Sequence, residues 1–304
     1  MKGQLFADFM RLRGRRIIEG AGKLWYSTSL GIYMSIPFHE PFNLSQVELA
    51  ELVRRNRILG VRFPSIHRAG LPSGMYYCRP TNYDLSSVHT KQRSRTRRSL
   101  EQCEVRPVER EQLLVEGLQC NLDTMSRQNR FDSEFGDPRK WRRLVDAVGK
   151  SPGVGVTGAF VNGRLAGYVI SCREDGWLHL LHQMSSRELL DHSPNNALTF
   201  TMTKAAGQDP AIEAVCYGVA GLSSGQGLHE YKLRLGYQMQ SQNSVFLLRP
   251  GFETLLSSAA VLNGIGLLRR IRPSNQRIER VESVLTGARL ARLGPQIQLA
   301  PTLQ

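Results

Sequence analysis

The stretch from Trp177 to Tyr237 constrains the fold more than any other part of this 304-residue sequence, because strand and helix patterns alternate in it without interruption. A strand pattern over Trp177 to Met184 leads through the polar loop 185–194 into a helix that begins near Asn195. A second buried strand and a second helix follow, and Gly236 is placed to end that helix. Because a helix that follows a strand presents unpaired backbone N–H groups at its start, this junction suits a phosphate or a diphosphate.

The patterns on either side extend this stretch into a longer order of elements. From Glu104 onward they predict a strand, two helices, three antiparallel strands, a helix, a strand, a helix and two final strands over 238–242 and 244–248. The dipeptide Asn162-Gly163 joins the first two antiparallel strands, and Asn-Gly is the strongest short hairpin signal. The sequence therefore predicts an α/β protein with a mixed sheet.

The first hundred residues predict a smaller α/β unit. A strand is predicted over 24–36, and Ser45 with Glu48 has the capping-box spacing of a helix start. A basic helix follows, for which Ser86 or Ser87 is the expected N-cap.

Composition predicts a soluble protein that stays in the cytoplasm. Hydrophobic residues make up 41% of the chain, which is enough for a packed core. Five cysteines without a C-x-x-C pair argue against a zinc site and against a disulfide framework, so we expect a reducing compartment and no metal. No apolar run approaches the roughly 20 residues that span a bilayer, and the first twenty residues lack the apolar centre of a signal peptide.

The net charge of +14 is concentrated in three segments. Residues 1–23 carry a net charge of +4, residues 91–98 carry +5 and residues 269–292 carry +5, so the remaining residues are neutral in sum. Such segments are either solvated helix faces or surfaces that contact RNA phosphates or an anionic membrane. Because the three segments need not share one face of the fold, the charge alone assigns no partner.

The order of elements over 103–249 resembles the fold of the GNAT acyltransferases. The last helix narrows the resemblance, because Tyr231-Lys232-x-x-x-Gly236 after the Gly/Ser-rich loop 221–227 looks like the Fem-type branch. That branch comprises the tRNA-dependent peptidoglycan aminoacyltransferases and a wider bacterial set of acyltransferases. The resemblance implies a tandem GNAT-like protein with three parts: a degenerate N-terminal unit over 1–102, an acyltransferase domain over 103–250, and a helical basic tail over 251–304.

The resemblance also implies where an acyl carrier binds. In the GNAT fold two neighbouring strands splay apart, and by resemblance backbone groups around Gln183, Met184 and Ser185 line the space that admits the carrier. Asn195 and Asn196, at the start of the central helix, either bind an anion or only cap the helix. Standard GNAT enzymes cradle the coenzyme A diphosphate with a glycine-rich loop. The corresponding loop here has no glycine, although close backbone approach to a diphosphate normally needs it.

Three side chains are candidates for the chemistry of acyl transfer to an amine. Lys232 stands where standard GNAT enzymes have a general-acid tyrosine, and it either offers positive charge to the carrier or is a solvated helix lysine. Tyr217, near the end of a buried strand, either holds the acceptor or packs in the core. His182 is a candidate general base because the usual pKa of histidine lies near neutrality. On a regular strand it shares a face with Leu178 and Leu180.

These features predict an N-acyltransferase that moves an acyl group to an amine by direct attack. Acyl-CoA is the favoured donor because the positive charge is dispersed, and an aminoacyl-tRNA is the alternative donor. The acceptor is expected to be a small-molecule or cell-envelope amine. The competing hypothesis is a non-catalytic module of the same fold that binds RNA or an anionic membrane surface, with its basic C-terminal helix lying at the membrane.

Overall fold

The computed structural model describes residues 1–28, 31–219, 226–249, 251, 252, 254, 263, 267 and 276–292. The first part of the chain forms α1 (Gln4–Leu12), β1 (Ile17–Gly20), β2 (Lys23–Ser27), β3 (Ile32–Ile36), α2 (Gln46–Asn56), β4 (Gly60–Ser65), β5 (Leu71–Cys78) and α3 (Thr90–Gln102). The rest forms β6 (Glu104–Pro107), α4 (Arg110–Gln112), α5 (Leu118–Arg127), α6 (Ser133–Gly136), α7 (Pro138–Lys150), β7 (Val154–Val161), β8 (Arg164–Glu174), β9 (Trp177–Ser185), α8 (Pro194–Ala206), β10 (Ala214–Val219), α9 (Gln226–Arg234), β11 (Gln238–Leu248) and α10 (Gln276–Ala291).

The described strands form one mixed sheet, in the order β1-β2-β3-β4-β11-β5-β10-β9-β8-β7-β6. The pairs β3–β4 and β9–β10 are parallel and the other pairs are antiparallel. The turn at Asn162-Gly163 closes the β7–β8 hairpin as its sequence predicts, with both residues at positive φ. The predicted α/β fold with a mixed sheet is confirmed.

The centre of the sheet interleaves strands from distant parts of the chain. The strand β11, the last one in the described part of the chain, lies between β4 and β5 and is antiparallel to both. The early strand β5 in turn lies between β11 and β10. The predicted division at residues 102 and 103 stays a prediction, but strands from both sides of it alternate at this point.

Two strand predictions differ from the structure. The stretch 24–36 is two antiparallel strands rather than one, and Gly31, with φ +67°, lies in the turn between them. The stretch 238–248 is one continuous strand rather than two, because β4 and β5 pair with it from both sides at Asn243. Pairing with two neighbours therefore overrides the weak strand preference of that asparagine.

Helices cover both faces of the sheet. On one face, α1, α5 and α7 pack over a core that includes Trp141 and Tyr168. On the other face, α3, α8 and α9 pack over a core that includes Leu198, Val215 and Tyr237. The strands β9 and β10 run between these two layers.

The predicted C-terminal tail lies partly outside the described residues. Its described helix, α10, packs against β11 and buries Val284, Leu285 and Ala288. Ile278 and Val281, on the same helix, are half-buried. None of the helices within the described ranges is long and apolar enough to cross a membrane.

Candidate functional site

The parallel strands β9 and β10 separate toward their C-terminal ends. They pair only from Trp177 with Ala214 to His179 with Cys216. The paired residues 178–179 and 214–216 are buried, whereas residues 181–183 of β9 and 217–219 of β10 are half-buried. We call the space between these two diverging segments the strand gap.

A β-bulge decides which side chains of β9 face each helical layer. In the pairing with β8, Ile170 is opposite His182 and Ser171 is opposite Leu180, so Leu181 is an extra residue. His182 therefore faces away from Leu178 and Leu180, and the facing expected from a regular strand is wrong. Gln183, by contrast, points toward α8.

On the α8 side, one tyrosine spans the strand gap. The hydroxyl of Tyr217, on β10, donates a hydrogen bond to Oε1 of Gln183, on β9. The Gln183 amide nitrogen donates to the backbone oxygen of Asn195 at 3.2 Å and to Oγ1 of Thr199 at 3.3 Å. The predicted residues Tyr217, Gln183 and Asn195 are thus brought together.

Lys232 completes this group from α9. Its Nζ donates to the backbone oxygen of Tyr217 at 2.9 Å and lies 4.7 Å from the centre of the same ring. The ammonium also lies over the ring of Tyr76, 4.2 Å from its centre. Lys232 is only 5% exposed, and within the described ranges it forms no ion pair with a carboxylate. Burial lowers its pKa to about 8.

Two residues of this group were not predicted from the sequence. Tyr76, on β5, hydrogen-bonds through its hydroxyl to Nδ1 of His229, on α9, at 2.8 Å. Tyr76 lies far from Lys232 in the chain, and no local pattern links them. His229 had a usable signal, because it stands three residues before Lys232 and so lies on the same face of α9.

The loop between β9 and α8 does not fit the diphosphate of coenzyme A. The backbone N–H of Ser185 donates to Oγ1 of Thr124 at 2.9 Å. The backbone N–H of Arg187 donates to a carboxylate oxygen of Asp123 at 2.7 Å. These donors are already satisfied, and the nearby carboxylate opposes a second anion.

The surroundings of that loop carry negative charge. A cavity of about 590 Å³ lies between α5 and the loop. Its lining includes three carboxylates and two guanidinium groups, those of Glu116, Asp123, Glu188, Arg164 and Arg187. Arg164 is paired with Glu188 at 2.6 Å, so little free positive charge is left for a diphosphate.

The remaining predicted carrier-binding residues have structural contacts. The side chain of Met184 lies in the core under α5 and α7. Asn196 is buried and donates to Oγ1 of Thr96, on α3, at 3.2 Å. Asn195 differs, because its side-chain oxygen is buried and has no hydrogen-bond partner among the described residues.

The basic helix α3 lies beside the strand gap. It packs against α8 and α9, and Arg95 donates to the hydroxyl of Ser193, just before α8, at 2.8 Å. Its N-cap is His89, not Ser86 or Ser87, because those two N–H groups bond to Asp84 in a preceding turn. Further exposed cations are those of Lys91, Arg97 and Arg98. One of the three basic segments is therefore adjacent to the site.

His182 lies on the opposite face of the sheet from Lys232 and Tyr217. Its ring contacts the ring of Phe135, with centroids 4.6 Å apart. Burial lowers the pKa of His182 to about 3. The structure therefore does not bring this predicted base together with the other two candidates.

Two more buried histidines predict acid sensitivity. His39 stacks on Trp177 and lies 4.9 Å from the ring of His179. The Nδ1 atoms of both histidines are buried and have no hydrogen-bond partner in the described part of the chain. Burial lowers the pKa to about 4 for His39 and about 3 for His179. The unfolded chain binds these protons near pH 6.5, so the folded state loses stability as the pH falls below that value.

We expect His179→Phe to weaken this pH dependence. Each buried neutral histidine contributes about 1.4 kcal/mol per pH unit to the slope between about pH 6 and pH 4. Urea unfolding at several pH values measures the slope, and His67→Phe, at an exposed histidine, is the control. An unchanged slope in His179→Phe would contradict the prediction.

The family comparison agrees with this geometry. Residues 88–233 match the family model described as an acetyltransferase (GNAT) domain. No curated protein sequence matches the chain. Together the family match, the strand order and the strand gap identify a GNAT acyltransferase domain within residues 88–233.

Solved structures narrow the fold further. FemX is 11% identical, with a TM-score of 0.56 over 80% of this chain and 92% of its own. The C-terminal domain of a putative lysylphosphatidylglycerol synthetase from Agrobacterium fabrum is 11% identical, with a TM-score of 0.52 over 85% and 92%. L-PGS from Bacillus licheniformis is 12% identical, with a TM-score of 0.51 over 95% and 96%. The chain has the Fem-type GNAT fold, which confirms the resemblance noted in its sequence.

Proposed function

We propose that this protein is an N-acyltransferase that uses the strand gap to hold the acyl end of its donor and Lys232 to balance negative charge. The observation that carries the proposal is the buried ammonium beside the gap. It donates one hydrogen bond to Tyr217 and lies over two rings, with no carboxylate partner in the described part of the chain. Two N–H donors are left for a ligand.

In direct transfer, the acceptor amine attacks the donor carbonyl and an oxyanion forms. The carbon–nitrogen bond forms in this step, and collapse of the oxyanion then breaks the bond to the carrier. Negative charge passes from the carbonyl oxygen to the leaving oxygen or sulfur, which takes up the proton that the amine nitrogen loses. The Lys232 ammonium stabilises this charge in a site of low dielectric constant. Tyr217 and Gln183 fix the width of the gap through their hydrogen bond. A base with a pKa near 3 is poorly matched to neutral pH, so we assign no proton transfer to His182.

An aminoacyl-tRNA is the donor that we favour over acyl-CoA. The basic helix α3 supports it, because this helix packs against α8 and α9 and its exposed cations suit an RNA backbone. The occupied loop N–H groups and the Asp123 carboxylate oppose a coenzyme A diphosphate. The dispersed positive charge of the sequence favours acyl-CoA only if no basic segment lies close to the site. Because α3 is close to the site, that argument no longer applies.

The acceptor that we propose is an amine, either a small molecule or a cell-envelope precursor. The competing hypothesis of a membrane-binding module loses support, because the apolar face of α10 packs on β11. A helix that uses this face for the core cannot also insert it into a lipid interface.

Binding measurements test the donor proposal. We expect saturable binding of tRNA, and we expect the pair Arg97→Gln and Arg98→Gln to weaken it about tenfold at low salt. The slope of log affinity against log salt should fall by about one for each phosphate that is no longer neutralised. The control pair is Arg139→Gln and Arg142→Gln, which removes two exposed charges from α7, on the other helical layer.

The other outcomes discriminate between the remaining hypotheses. Saturable binding of a coenzyme A thioester without tRNA binding would contradict the aminoacyl-tRNA donor and support acyl-CoA as the donor. Salt-dependent tRNA binding without acyl transfer to any amine would favour the non-catalytic module.

A further inference from the structure

Two aromatic faces hold the Lys232 ammonium, and no carboxylate among the described residues pairs with it. The ring of Tyr76 is the closer one, at 4.2 Å against 4.7 Å for Tyr217. A cation over a ring is stabilised by the electron density of the ring face, and this attraction is strongest when water is excluded. The position and electron density of the Tyr76 ring therefore bear directly on the charge of Lys232.

His229 sets that ring in place. Its Nδ1 atom lies 2.8 Å from the Tyr76 hydroxyl, while the two ring centres are 5.7 Å apart. In the neutral imidazole with a free lone pair on Nδ1, the tyrosine hydroxyl is the donor. A phenol that donates a hydrogen bond gains electron density in its ring, which strengthens the attraction to the ammonium.

The neighbouring charged side chains of α9 do not replace Tyr76 and His229 in stabilising the Lys232 ammonium. Glu230 and Arg234 form an ion pair with each other, one turn apart, so the carboxylate next to His229 already has a partner. The main cause of the lowered Lys232 pKa is burial, and Cys216 acts in the opposite direction. A change in the Tyr76 ring thus acts on a lysine that is charged at neutral pH but loses its proton near pH 8.

We propose that His229 is a positioning residue that acts through Tyr76: its hydrogen bond fixes the ring under Lys232 and keeps the lysine charged for acyl transfer. Only the role of the Lys232 charge in acyl transfer rests on the proposed function. The arrangement also joins distant parts of the chain, because Tyr76 belongs to β5 whereas His229 and Lys232 belong to α9.

The test is the pKa of Lys232 in the full chain, measured without any substrate. Lysine labelled with ¹³C at Cε gives one NMR signal for each lysine, and the signal that Lys232→Met removes is that of Lys232. We expect Tyr76→Phe and His229→Phe each to lower the pKa by about half a unit or more. The double variant should show little further change, because both substitutions remove the same hydrogen bond.

Two further variants separate positioning from general destabilisation. His229→Asn keeps an acceptor close to the place of Nδ1, so it should restore the wild-type pKa, whereas His229→Phe keeps only a ring. Tyr83→Phe removes a buried hydrogen bond of 2.6 Å to the backbone of Leu235, just after α9. It should lower thermal stability and leave the Lys232 pKa unchanged.

An unchanged Lys232 pKa in both Tyr76→Phe and His229→Phe would overturn the inference. A similar shift in Tyr83→Phe would also overturn it, because the effect would then be an unspecific loosening. If the pKa shifts as expected but no tRNA or coenzyme A thioester binds, the positioning stands and the proposed function fails. Activity measurements alone do not make that distinction.

Discussion

Removal of residues 1–87 is expected to leave the rest of the chain unable to fold, although the family match begins at residue 88. Strand β5 is missing from that fragment, and in the full chain it lies between β10 and β11. The fragment also lacks Tyr76 and Tyr83, which belong to the core around α8. Each large buried side chain contributes roughly 1.5–3 kcal/mol, against a total of roughly 5–15 kcal/mol for a folded domain. The fragment also lacks β4, so three strand ladders are lost together with these side chains, and the combined loss is comparable to that margin.

Thermal unfolding followed by circular dichroism measures this effect on fragment 88–304. We expect no cooperative transition, in contrast to the full chain. Co-expression of fragment 1–87 with fragment 88–304 is the control, and it should restore a transition because β5 can then insert between its two neighbours. A fragment 88–304 that is monomeric, unfolds cooperatively and gives dispersed NMR signals would contradict the expectation.

Local patterns in the sequence predicted most of the individual elements. The capping box of Ser45 and Glu48 forms as its spacing indicates, with the N3 backbone donating to the serine and the glutamate accepting from the N-cap backbone. The Asn-Gly turn and the helix that Gly236 ends behave in the same way. Gly236 has φ +85°, and a side chain there would meet the backbone oxygen of Ser87. Each of these features depends on neighbours within a few residues.

Local sequence patterns did not predict that β5 and β11 lie side by side in the sheet. Asn243 looks like an interruption in the sequence, but it pairs with Ser65 on one side and Pro72 on the other. Which strands become neighbours depends on packing between segments more than 150 residues apart, and alternation along one strand does not encode it. The same limit explains why Tyr76 was missed.

Only part of the candidate site was predicted, because local patterns again do not show which distant segments meet. Lys232, Tyr217 and Gln183 lie on elements whose order is readable, and the structure places them in contact. The bulge at Leu181 turned His182 to the other face, and a single extra residue leaves no clear mark in the alternation of a short apolar strand. The occupied loop N–H groups depend on Thr124 and Asp123, which come from a helix earlier in the chain.

Lys232→Met is expected to lower the rate of acyl transfer by about a hundredfold or more, because removing one group that stabilises transition-state charge typically has an effect of this size. Methionine keeps much of the length and the apolar stem of lysine without the charge. Since the variant no longer buries a cation, its thermal stability should be unchanged or higher. Transfer rates with the donor identified by the binding measurements, together with thermal unfolding, check both parts of this expectation.

The pH profile makes the same prediction more specific. Because the Lys232 pKa is lowered to about 8, the ammonium is present below that pH and is lost as the pH rises through it. The wild-type rate should therefore show a fall centred near pH 8, and the residual rate of Lys232→Met should lack that fall. Lys204→Met, at an exposed position on α8, is the matched control and should behave as wild type. A Lys232→Met variant that keeps most of the rate and the same fall near pH 8 would show that another group supplies the charge.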